Sequence, residues 1–262
     1  MARAAPRWTP GRRPRLGRYG CLVSLVAAAV CPHPPLLVPE VAGAAAGELD
    51  DLRAACDAAV ARLLDARPEQ LLLIGSGPRT ARFNTADHGS LRPYGVDRQV
   101  RLWKVNCAGG PHLPLSLTVG AWLVGRSGTE LPRFAHSVAT DATADECARL
   151  GAELATAAAE PRTALLVLGD GSACRGQKAP GYDDPRAQAY DDGVAAALAH
   201  ADTDALLGLD PVLSTELRAA GRAPWQVLAG AVRAAGGDWR GELTHHTARY
   251  GVAYLVATWE RA

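Results

Sequence analysis

His33 stands among prolines in the stretch Cys31-Pro32-His33-Pro34-Pro35-Leu36-Leu37-Val38-Pro39-Glu40. Proline fixes φ and restricts the residue before it, so the imidazole is held in a set direction. That suits a metal ligand, and it suits equally a rigid loop whose histidine faces solvent. Prolines 32, 34 and 35 are expected to keep the segment from becoming helix. A second chemistry-bearing stretch is Gly169-Asp170-Gly171-Ser172-Ala173-Cys174-Arg175. Asp170 has the chemistry of a carboxylate ligand or general base, and also that of a cap on backbone amides. Ser172 is a candidate nucleophile, although no histidine lies near it in sequence. The pattern is not a phosphate-binding loop, because it lacks the full Gly-x-x-x-x-Gly-Lys-Ser/Thr sequence. Gly75-Ser76-Gly77-Pro78 is too short for a dinucleotide fingerprint and reads as the exit turn of a strand.

Other groups are weaker candidates. Glu242 falls in a C-terminal strand, as a solvent-facing carboxylate or a ligand. His88 lies in a loop after the second strand and could approach a metal. His245 and His246 are adjacent on a strand, so only one can face a given site. His136 sits in a strand candidate and reads as a core or surface residue, and His200 closes a helix, where the dipole favours a cation.

These residues need a scaffold. Leu22–Val30 is a short continuous apolar run, as expected of a strand buried on both faces. Leu49, Leu52, Cys56, Val60 and Leu63 recur at helical spacing within 48–66, and Pro68 ends that helix. Buried strands are expected at 70–75 and 163–168, further strands at 100–105 and 134–138, and loop over 79–97. Leu115–Val124 reads as an apolar helix, forming either core or a subunit interface. Thr143 and Glu146 form a capping box opening a helix to about 159. Asp184 and Pro185 are the expected N-cap and first residue of another. Helices near 210–220 and 224–235 precede two strands near 239–244 and 250–258 that pair as a hairpin. Strands alternating with helices imply an α/β sandwich on a mostly parallel sheet, in one domain.

Composition narrows the function. The chain has 262 residues, is 48% apolar and carries a formal charge of +1, so no overall field favours nucleic acid or an anionic membrane. Six cysteines at 21, 31, 56, 107, 147 and 174 show neither CxxC nor zinc spacing, as expected of a cytoplasmic protein. Residues 1–20 hold six arginines, three prolines and no acid. They are read as a disordered extension, or a start placed too early, before a domain spanning 21–262. The apolar run behind them is too short for a membrane span.

HPPLLVPE (33–40), the GDGS…APGYDDPR segment (169–186) and the closing YGVAYLVATW (250–259) resemble, in this order, the class III extradiol ring-cleavage dioxygenases of the catalytic B-subunit type and the related Memo-like proteins. The likeness runs from about 22 to 259. It implies their single-domain sandwich. It also implies Fe(II), or another divalent metal, held by two histidines and a carboxylate, with a further histidine as acid/base on a catechol-type substrate. Carried over, His33 matches the first metal histidine and Glu242 the carboxylate. The second histidine's position falls on Gly75-Ser76-Gly77-Pro78 and the acid/base position on or beside Ala173, so two histidines are missing. Two functions are therefore expected. One is an iron-dependent oxidoreductase opening a small aromatic ring, with His88 as a replacement ligand. The other is a catalytically degenerate relative that binds a small molecule or protein partner. Association into a homo-oligomer is compatible with either.

Overall fold

The computed structural model describes residues 25–103, 112–157 and 161–262. The basic segment 1–20 lies outside them, as do Cys21 and Cys107 and the end of the strand expected at 100–105. The described residues form a mixed α/β domain around one seven-stranded sheet with helices on both faces.

Strands β1 (Leu25–Cys31), β2 (Gln70–Gly77), β6 (Arg133–Ala139) and β7 (Thr163–Leu168) run parallel in the order β6-β2-β7-β1. Short β3 (Ala81–Phe83) adds antiparallel to β6. At the other edge, β9 (Tyr254–Arg261) pairs antiparallel with β1, and β8 (Trp239–Thr247) with β9. Strands β4 (His88–Ser90) and β5 (Gln99–Arg101) form a separate two-stranded ribbon. The central strands are buried along almost their full length, which explains their unbroken apolar sequences.

Helices α2 (Asp50–Asp65) and α3 (Leu115–Arg126) cover one face. Leu52, Cys56, Val60 and Leu63, the apolar stripe of the sequence, all turn inward from α2. α3 is buried from Ser116 to Val124, so this apolar helix is core. The other face carries α4 (Ala144–Ala157), α5 (Arg186–Ala199), α6 (Thr203–Leu207), α7 (Pro211–Glu216) and α8 (Arg222–Ala235). The capping box of α4 forms in both directions: Thr143 N donates to Glu146 Oε2 at 2.8 Å, and Glu146 N to Thr143 Oγ1 at 3.2 Å.

Several expectations change. α5 opens at Arg186 with Pro185 at its N-cap, one residue later than expected. Gly75, Ser76 and Gly77 belong to β2, paired with Ser137, Val138 and Ala139 of β6, and so are strand instead of an exit turn. Residues 79–97 carry β3 and β4. The proline-rich stretch after β1 is helical in short pieces: a 3-10 turn Pro35–Leu37, then α1 (Pro39–Ala42) and a second 3-10 segment, Gly43–Leu49. Pro35 and Pro39 each open a helical turn, where the missing N–H costs nothing.

Candidate active-site cleft

Neighbouring strands β1 and β7 send their carboxyl ends to opposite faces. β1 leads through residues 32–49 to α2 on one side, and β7 leads through 169–185 to α5 and α8 on the other. Chains that part in this way open a crevice beyond the strand ends, where α/β sheets place ligands. His33 and Asp170 are the second residues after β1 and β7, so the topology brings them together.

The contact is direct. His33 N donates to Asp170 Oδ1 at 2.8 Å, and His33 Nδ1 lies 3.7 Å from the same oxygen. The second distance is too long for a hydrogen bond. Nδ1 is buried and has no partner. Asp170 thus caps a backbone amide and also faces the imidazole. Burial pushes its carboxyl above the ordinary range, opposed by the His33 ring and the His33 N–H. Tyr254, the first residue of β9, lies near enough to Asp170 to feel its charge. Burial, with a contribution from Asp170, pushes its phenol upward. Beneath lie Cys31 and Cys56, both fully buried. Their mutual hydrogen bond is the main cause that raises the Cys56 thiol, followed by burial. Tyr254 and the cysteine pair were not singled out in the sequence. Their signal is positional, since only the antiparallel return of β9 beside β1 places Tyr254 there.

The loop after β7 is framed by backbone. Gly169 N donates to Cys31 O at 3.0 Å, Gly171 N to Ala253 O at 2.8 Å and Arg175 N to Gly251 O at 3.0 Å, while Asp170 O accepts from Gly221 N at 2.8 Å. A Cβ on Gly171 would sit 2.7 Å from both Ala253 Cβ and Asp191 Oδ1, so the loop packs this closely only with glycine.

Other candidates are placed elsewhere. Ser172 is fully buried, its hydroxyl donating to Asp191 Oδ2 at 2.6 Å and its N–H to Asp191 Oδ1 at 2.8 Å, with Arg175 Nη1 3.0 Å from Oδ2. It is a fully buried hydroxyl held by a carboxylate that is itself paired with Arg175, and no histidine is among its hydrogen-bond partners. Ala173 N donates to Leu217 O at 2.9 Å, and Ala173 has no side-chain group to move a proton. Glu242 faces Thr258 on β9, level with Ala29 of β1, and forms an ion pair with Arg62 of α2. That puts it two strands across and four residues short of His33, roughly 10 Å by 13 Å away. His88 packs its ring against His112, centroids 4.9 Å apart. Thr244 is the extra residue of a β-bulge between Leu243 and His245, so His245 turns toward the α2 face and His246 away from it.

Among the described residues no group of three or more His, Cys, Asp or Glu side chains converges as metal ligands. His33 and Asp170 supply one imidazole and one carboxylate. At Gly77, a Cβ would meet Ser137 Cβ at 2.9 Å, so even the first atom of a histidine side chain is crowded there. The donor set does not fit a two-histidine, one-carboxylate iron site.

No family model matches the chain, and no curated protein matches it. Among solved structures, it is similar to the crystal structure of an uncharacterized protein from Escherichia coli K12, with a TM-score of 0.56 and 15% identity, covering 90% of this chain and 99% of that one. That likeness supports the mixed α/β fold. Among the described residues no helix is long and apolar enough to cross a membrane.

Proposed function

We propose that this protein has the extradiol-dioxygenase B-subunit scaffold and uses the His33–Asp170 crevice to bind a small hydroxylated aromatic molecule without iron-dependent ring opening. The observation that carries this reading is the pairing of one imidazole, His33, at the position that matches the family's first metal histidine, with one buried carboxylate, Asp170. Two such groups can orient a phenolic hydroxyl. Asp170 accepts or shares a proton, and His33 takes the hydroxyl hydrogen bond on the ring nitrogen that does not face Asp170. The sequence segments 33–40, 169–186 and 250–259 support the scaffold assignment. The crowding at Gly77 and the methyl side chain at Ala173 argue against the iron chemistry of that family.

The test uses anaerobically purified full chain. Titration with catechol should give saturable binding that weakens about tenfold or more in His33→Ala and Asp170→Ala, the loss expected when hydrogen bonds to a charged or buried group are removed. Titration with Fe(II) should give no stoichiometric binding. Catechol that fails to bind the unaltered chain overturns the ligand. Stoichiometric Fe(II) binding abolished by His33→Ala, with a yellow ring-opened product in air, overturns the absence of ring cleavage.

A further inference from the structure

We propose that the cleft between α4 and the β3–β6–β2 face is a second small-molecule site, one that takes a compact carboxylate with a flat apolar body. It begins with the seating of α4. Gly151 of α4 and Gly230 of α8 let these helices touch: a Cβ on Gly151 would lie 2.1 Å from Val227 O, and one on Gly230 2.3 Å from Ala148 O. Drawn onto α8, α4 stands off from β6 and β3. The gap is a cavity of about 400 Å³, within the roughly 300–1,000 Å³ of small-ligand pockets.

Leu72, Phe134, Leu150 and Leu154 form its apolar wall, and Arg82 and His136 its polar end. Arg82 and His136 are direct cross-strand partners on β3 and β6, and so share one face within side-chain reach. The charges leave a net cation. Glu153 of α4 also lines the cavity, but it is paired with Arg149 at 2.9 Å. The Arg82 guanidinium has no ion-pair or hydrogen-bond partner among the described residues. Burial, with Arg82 beside it, lowers His136 to about 4, so near neutral pH its ring is uncharged and keeps one N–H to donate. A guanidinium and a neutral imidazole N–H side by side match the two oxygens of a carboxylate. The leucines and Phe134 match a ring or branched alkyl body. Gln70 and Thr163 also line the cavity and are tied to each other, Gln70 Nε2 donating to Thr163 Oγ1 at 2.8 Å. A cationic ligand would meet Arg82. This cleft is separate from the His33 crevice: Gln70 and Thr163 open β2 and β7, whereas His33 and Asp170 follow the far ends of β1 and β7.

The experiment titrates the full chain with benzoate, followed by NMR of side-chain resonances, with benzyl alcohol as the uncharged control. Saturable shifts at Phe134, His136, Leu150 and Leu154 with benzoate, and none with benzyl alcohol, are expected. Arg82→Gln should weaken benzoate about tenfold or more. Leu154→Trp, which fills the cleft, should abolish the shifts in a chain whose melting transition shows it folded. Unchanged affinity in both variants, shifts centred on His33 and Asp170, or the absence of saturable binding would each overturn the site.

Discussion

At the scale of single residues, the two polar groups of the Gly169–Arg175 loop divide into distinct tasks. Asp170 faces the crevice and His33, while Ser172 points the other way into a buried contact with Asp191 and Arg175. Ser172→Ala removes one bond to a buried carboxylate, so it should cost about 1–3 kcal/mol of stability, measured by denaturant unfolding, and leave ligand binding at His33 intact. Asp191→Ala strips partners from both Ser172 and Arg175 and should cost more, about 3–5 kcal/mol. Loss of binding without loss of stability in Ser172→Ala would return Ser172 to the crevice. His33 and Asp170 were legible as candidates because proline and glycine frame them at strand exits, and an exit is a place that one sequence can mark. Glu242 was misplaced for a related reason. A carboxylate in a strand pattern declares neither how far along the sheet it lies nor which helix covers it, and here the α2 arginine Arg62 claims it.

At the scale of elements, the segment between β1 and α2 depends on Arg53. Its buried guanidinium donates to Leu37 O at 2.9 Å and also binds Ala46 O and Asp50 Oδ1, tying the 3-10 turns back onto α2. Arg53→Ala leaves these buried carbonyls unpaired. It should cost about 2–3 kcal/mol and speed amide exchange over 34–49 more than in the sheet. Uniform exchange changes across the molecule would show that Arg53 supports the whole core instead. The α4–α8 contact offers a second element-scale prediction. Gly151→Ala drives a methyl into a backbone carbonyl, so it should destabilise by about 1–3 kcal/mol through overpacking, although alanine is the better helix former. Helices with strong patterns, such as α2 and α4, were readable because one stripe or one capping box carries each. The short α6, the ribbon β4–β5 and the helical turns after Pro35 were not. Each is too short to show a periodic pattern of its own; α6 rests on α8 and the ribbon on α3, and proline reads as a helix breaker until its place at the first helical residue is known.

At the scale of the whole molecule, the alternation of strands and helices was enough to give the layered sheet, because buried parallel strands have few alternatives to continuous apolar runs. The positions that decide chemistry depend on strand order, which pairs β1 with β7 and sends β9 back beside them, and that order is not local. Strand order also separates two titrating regions whose effects on stability oppose each other. His136 is lowered to about 4 by burial and Arg82, and His245 is lowered by burial. Between the ordinary histidine value near 6.5 and the folded value, the unfolded chain binds more protons, so both groups make stability fall as pH falls. Asp170 is raised by burial, so the folded state binds its proton first, and its contribution grows as pH falls through its folded value toward the ordinary carboxylate range near 3.9. Two substitutions separate these contributions. His136→Phe should flatten the loss of stability between about pH 6.5 and 4, seen as a smaller drop in melting temperature across that range. Asp170→Asn should steepen the same drop, because it removes the one group of the three that gains on acidification. Parallel pH profiles for the unaltered chain and His136→Phe would mean that the imidazole in the α4 cleft is as well solvated as in the unfolded chain.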